Sequence, residues 1–185
     1  MSNLSKQKRE VISAIQKLVK NSSELTTEEE YFQNLLEFSS IIPLSNLEVW
    51  EGLLRWELKG TSYDSSSNIW DWWPQIGKEQ RWLELCSGNG YKREEALNLL
   101  DGGAPSSFLF ALLIRRLNDW VPEIRNTARE VVPRCAKKTN PAYIIDVLCL
   151  IFPNWNSWGR ITDLERQTIF DLLSIKEVYP SGKHA

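Results

Sequence analysis

From Phe108 to Ile114 the chain reads Phe-Leu-Phe-Ala-Leu-Leu-Ile, with no polar residue on any side. As a helix over 106–117 it is apolar nearly all round, so it needs cover on both sides. The turn Asn118-Asp119-Trp120-Val121-Pro122 follows, with Pro122 at the first position of the next helix, where a missing N–H costs little. That next helix carries Val121, Ile124, Ala128, Val131, Val132 and Cys135 on one face. Glu123, Asn126, Arg129, Glu130 and Arg134 lie mostly off it, and Pro133 predicts a bend or an early end.

The same periodicity predicts helices at about 3–20, 27–39, 45–58, 78–87, 90–101, 106–117, 122–138, 141–152 and 161–174. Thr26 or Thr27 before Glu28–Glu30 gives an N-cap with an acidic first turn, and Ser45 with Glu48 suggests a capping box. Alternation leaves a strand open for 53–58, but no run after residue 60 reads as a buried strand. Residues 60–77 form a long polar and aromatic loop holding Trp70, Trp72 and Trp73.

Composition narrows the function. The 185 residues suit one domain or one plus a small arm. A net charge of −2 and a pI of about 5.6 speak against a broad basic field for nucleic acid or anionic membrane. Cys86, Cys135 and Cys149 lie far apart and suit neither a disulfide scaffold nor a metal knuckle. The one His, His184, leaves little room for His-based catalysis or metal binding, so no cofactor, no metal and no enzyme activity are expected. No apolar run approaches a membrane span and no export signal is read, so the cytoplasm is the expected compartment. Charge is segregated: residues 1–20 are net +4, 21–60 net −6 and 104–140 net +4. Such blocks suit internal pairing or a charged partner.

The second half repeats itself. Arg93 and Ala96 stand 32 residues before Arg125 and Ala128, and Asp163, Arg166, Ile169 and Leu172-Leu173 echo the pattern after an insertion at 153–159. Asp119-x-x-Pro122-x-Ile124-Arg125-x-x-Ala128-x-x-Val131-Val132 resembles the HEAT repeat, and the likeness extends over about 78–174. It implies a structural role for Asp119, Pro122, Arg125 and Ala128, with Arg93, Ala96 and Arg166 as weaker counterparts. In such repeats the turn Asp and the helix Arg bond between neighbouring units, and the small Ala lets helices approach closely. The stretch 117–125 is also similar to bacterial HEAT-like proteins, some of which resemble immunity partners of secreted toxins.

Two enzyme-like resemblances compete. Leu83-Glu84-Leu85-Cys86-Ser87-Gly88-Asn89-Gly90 resembles the first motif of S-adenosylmethionine-dependent methyltransferases, which needs a strand before the glycines and a sheet around them. Cys86 stands where that motif usually has a glycine, and a helix end followed by a new helix start explains the segment as well. Some bacterial HEAT-repeat proteins resemble DNA glycosylases, but no Trp here has an Asp four residues downstream.

The expectation is therefore an all-α chain. Residues 1–77 form an N-terminal helical region that caps a short HEAT-like α-solenoid at 78–185. Its expected function is non-catalytic protein binding, with a toxin-occluding immunity protein as one form and a nucleic-acid-binding or glycosylase-like protein as the alternative. Candidate partner contacts are Trp70, Trp72, Trp73, Trp155 and Trp158, because Trp is enriched at binding hot spots, together with Asn126 and Arg129 on the second helix. Packing of the rings on the core, and a solvated basic face, are the competing readings. A monomer or weak homodimer with no membrane attachment is expected.

Overall fold

The computed structural model describes residues 3–22, 27–60 and 80–175, and all regular structure among them is helical. Helix α1 (Asn3–Ser22) buries Val11, Ile15 and Leu18 along one stripe. It packs on α2 (Glu28–Ile41) and α3 (Leu47–Gly60). Thr27 caps α2, its Oγ1 accepting the Glu30 N–H at 3.2 Å. The expected capping box of Ser45 and Glu48 gives way to a different start for α3. There the chain turns through Asn46 at φ 62°, and the Trp50 indole N–H donates to the Ser45 carbonyl at 2.6 Å. Residues 53–58 are helical, which removes the strand alternative for them.

The second half runs through α4 (Arg81–Glu84), α5 (Gly90–Leu99), α6 (Ser107–Arg115) and a 3-10 turn (Arg116–Asn118). It continues through α7 (Pro122–Ala136), α8 (Pro141–Asn154), a second 3-10 turn (Trp155–Ser157) and α9 (Asp163–Leu172). Of the helix expected at 78–87, residues 78–79 lie outside the described residues, and the α-helical part of the remainder is the single turn of α4. That turn is helical where the methyl-donor motif needs a strand, and no strand stands behind Gly88–Gly90 among the described residues. Asn89 instead starts α5, its side chain accepting the Tyr91 N–H at 3.0 Å. Pro133 does not end α7, which runs on to Ala136; it lies in the last turns of the helix.

Two layers result. Helices α5, α7 and α9 pack in sequence on one side, and α6 packs on α8 on the other. Helix α6 also touches α2, α4 and α7, which explains its sequence: neighbours surround it, and Phe108 to Ile114 are all buried. The two halves share one hydrophobic core, with the Phe38 ring edge-on to Phe108 at 6.4 Å. Ala96 and Ala128 are fully buried on α5 and α7, which pack together.

The connection from α5 to α6 is fastened to the end of α7. Arg134 Nη2 donates to the Leu100 carbonyl, the Ala104 N–H donates to Thr139 Oγ1, and Lys138 pairs with Asp101. Gly103 makes this close approach feasible, since a Cβ there would sit 2.0 Å from the Lys138 carbonyl oxygen. Gly103→Ala is expected to destabilise the fold by about 1–3 kcal/mol, the usual cost of overpacking, read as a lower urea midpoint.

Candidate functional site

The site grows from a charge problem. Helix α6 is uncharged until it ends in Arg115 and Arg116, and Arg116 is buried in the 3-10 turn. A buried guanidinium needs carboxylates and carbonyls to occupy its donors. Arg116 donates to Glu51 of α3, to Asp119 Oδ2 at 2.8 Å and to the Leu112 carbonyl. Arg115 donates to the same Glu51 at 2.7 Å and to Glu48 at 3.1 Å. Arg55, four residues beyond Glu51 on α3, adds a third bond to it at 3.0 Å and donates to the Cys86 carbonyl at 2.9 Å.

Asp119 is the second hub. Arg93 of α5 grips it with two parallel bonds of 2.9 and 2.8 Å, and the Val121 N–H donates to Oδ1 at 3.1 Å. Arg93 and Asp119 side chains are 1% and 2% exposed, so this is a fully buried ion pair. The Trp120 ring lies over Arg93 at 5.9 Å and is itself 67% exposed. Burial works to raise the Glu51 pKa, but Arg116, Arg115 and Arg55 outweigh it, so the carboxyl sits below its ordinary value. Burial lowers and the Glu51 and Asp119 carboxylates raise the Arg116 pKa, with a net rise. Burial beside Glu51 pushes the Cys86 thiol well up, so it is no thiolate nucleophile at neutral pH.

These groups line an open cleft of about 300 Å³, with Trp120 and Arg160 among its walls. A second cavity of about 260 Å³ shares Glu48, Arg115 and Ser157 with it and is walled by Val49, Leu150, Ile151 and Trp158. Together they make a groove with a charged half and a more apolar half, meeting at the Glu48–Arg115 pair.

The residues singled out from sequence fare differently. Arg93 and Asp119 are joined directly, and Arg125 Nη1 donates to the Asp119 carbonyl at 2.8 Å, so three of the repeat positions meet. Pro122 opens α7. Arg166 pairs with exposed Asp163, three residues before it. Trp70, Trp72 and Trp73 lie outside the described residues, as does the side chain of Trp155. Trp158 is buried under Arg115, at 6.0 Å from its guanidinium, so it walls the groove rather than projecting from it. Asn126 is exposed, while Arg129 is tied to buried Glu165 of α9. Sequence reasoning missed Glu51, Arg55 and Arg160. The i, i+4 spacing of Glu51 and Arg55 was the visible signal for two of them.

Among the described residues no group of three His, Cys, Asp or Glu could hold a metal, and no helix is long and apolar enough to cross a membrane. Compared with protein-family models, curated proteins and solved structures, the chain finds no match in any of the three.

Glu51→Gln leaves Arg116 and Arg115 without their shared charge and is expected to destabilise by about 3–5 kcal/mol, whereas Glu48→Gln at the exposed rim should cost about 0–1 kcal/mol. Because the folded Glu51 pKa is depressed, its contribution is complete above the ordinary value of 4.5 and fades as pH falls through the folded value. Denaturant titrations across acidic pH should therefore show a shallower acid loss in Glu51→Gln than in the wild type.

Proposed function

We propose that this chain is a non-catalytic protein-binding module, a short HEAT-like stack of helix pairs with an N-terminal helical cap, acting in the cytoplasm. The observation that carries the reading is the two-part groove between α3, α6 and α8. Its charged half offers arginines already held in place by carboxylates, and its other half offers apolar wall from Val49, Leu150 and Ile151. A protein partner presents that combination of acidic and apolar side chains at one interface. Pre-set donors lose little freedom on binding, which favours affinity. The packing of α5, α7 and α9 in one layer and of α6 and α8 in the other supports the repeat reading. So does the Arg93–Asp119 bond between successive helix pairs. The resemblance of 117–125 to immunity-type HEAT proteins makes a bacterial toxin the favoured partner class.

The arginines favour one second reading, nucleic-acid binding. Glu48, Glu51 and Asp119 stand among those arginines, and the pI is about 5.6, both of which weaken a phosphate-tracking surface.

The test is a binding series on purified components. A partner captured from the source cell, then reconstituted as a complex of fixed stoichiometry, is expected to bind about 30-fold more weakly to Trp120→Ala or Val49→Asp, the size of a hot-spot loss. Trp72→Ala and Trp155→Ala test the sequence-based anchors in the same assay. Unchanged affinity in all four variants overturns the groove as the docking site. Salt-sensitive binding to duplex DNA with no protein partner replaces this reading with the second one.

A further inference from the structure

We propose that the charged half of the groove is a binding site for a phosphate group, carried by a small phosphate ester or by inorganic phosphate. This site lies in the charged half of the groove that the protein-binding reading also uses, but the inference does not depend on that reading. Five arginines line the cleft, Arg55, Arg93, Arg115, Arg116 and Arg160. Three carboxylates, Glu48, Glu51 and Asp119, stand against them, so two positive charges are left over. A phosphate monoester carries about −1.5 to −2 charges at neutral pH, which matches that excess. A carboxylate carries only one.

The donors point the same way. Each guanidinium has five N–H groups. Arg93 and Arg116 each have all three nitrogens engaged with protein acceptors. Arg55 engages Nε and Nη2, which leaves Nη1 over, and Arg115 engages Nε and Nη1, which leaves Nη2 over. The Arg160 guanidinium makes no ion pair or hydrogen bond to any described residue, although its backbone N–H is fixed to Asn118 Oδ1 at 3.0 Å. Three arginines at this cleft thus have a nitrogen with no protein acceptor among the described residues, and carboxylates already hold two of the three in place. Planar forks of this kind match phosphate oxygens two at a time. A volume of about 300 Å³ admits a phosphate with a modest substituent, and the exposed ring of Trp120 gives that substituent a flat wall.

The experiment measures binding of inorganic phosphate, phenyl phosphate and acetate to the full chain by calorimetry, with melting temperature as a second readout. Phosphate and phenyl phosphate are expected to bind and to raise the melting temperature, and acetate to bind at least about 10-fold more weakly, as one charge less predicts. Tighter binding of phenyl phosphate than of phosphate assigns an ester, and equal binding assigns the free ion; both support the site. Arg160→Ala, which breaks no ion pair, is expected to melt unchanged without ligand and to weaken phosphate binding about 10-fold or more. Lys137→Ala removes a surface charge at the other end of α7 and is the control. No phosphate binding, acetate binding as tight as phosphate, or equal losses in Arg160→Ala and Lys137→Ala would each overturn the proposal.

Discussion

Two buried carboxylates, Glu51 and Asp119, share the buried Arg116, and the rest of the structure is arranged around that triad. Taking Arg116 and its partners out of water costs several kcal/mol per charge, so the contact survives only with complete hydrogen bonding. The completion comes from four places. Helix α3 brings Glu51, α5 brings Arg93, α6 brings the Leu112 carbonyl, and the turn before α7 brings Asp119. Apolar contacts such as that of Phe38 on Phe108 hold the same elements together but tolerate sliding. The ion network does not, because a small shift would leave a buried charge without a partner. It therefore sets the register of α3 against the helices of the second half.

The local chain geometry follows from the same demand. Arg116 leaves the α-helical path for a 3-10 turn, and Asp119 then takes an extended backbone that lets its carboxylate accept the Val121 N–H. Pro122 starts α7 where no donor is missed. A turn that looks like ordinary punctuation in sequence is a junction of three helices. That is why its Asp and the arginines around it fit one geometry closely and why Trp120 is left facing outward above Arg93.

Much of the fold was legible in the sequence, because helix faces are local. The apolar stripes, the Thr27 cap, Pro122 and the encirclement of 108–114 all follow from short-range pattern. Of the two readings the segregated charge blocks left open, internal pairing or a charged partner, the structure contains instances of the first. Lys17 of the basic N-terminal block meets Glu37, and Glu48 and Glu51 of the acidic block meet Arg115. The candidate site was less legible. Glu51 and Arg116 are 65 residues apart, and nothing local distinguishes either from a solvated surface charge. Arg160 follows the segment 153–159, read from sequence as an insertion, so periodicity gave it no place. Helix α4 was overestimated because Trp82, Leu83, Leu85 and Cys86 are all buried, a run that mimics a longer core helix.

The network's two tiers also decide what the cleft can do. Glu51 is 5% exposed and bonded to three arginines, so an incoming anion cannot displace it without stranding buried charge. Glu48 is 69% exposed and, among the described residues, its side chain pairs only with Arg115, an interaction of the kind worth little in water. An anion entering the cleft can therefore take Glu48's place on Arg115 at small cost while Glu51 keeps that guanidinium aimed. The Glu48–Arg115 pair is also where the charged and apolar halves of the groove meet. Releasing it would change the groove's charge at that junction without repacking the core, so the proposed phosphate in the charged half would alter the face that the proposed partner meets through one exposed side chain.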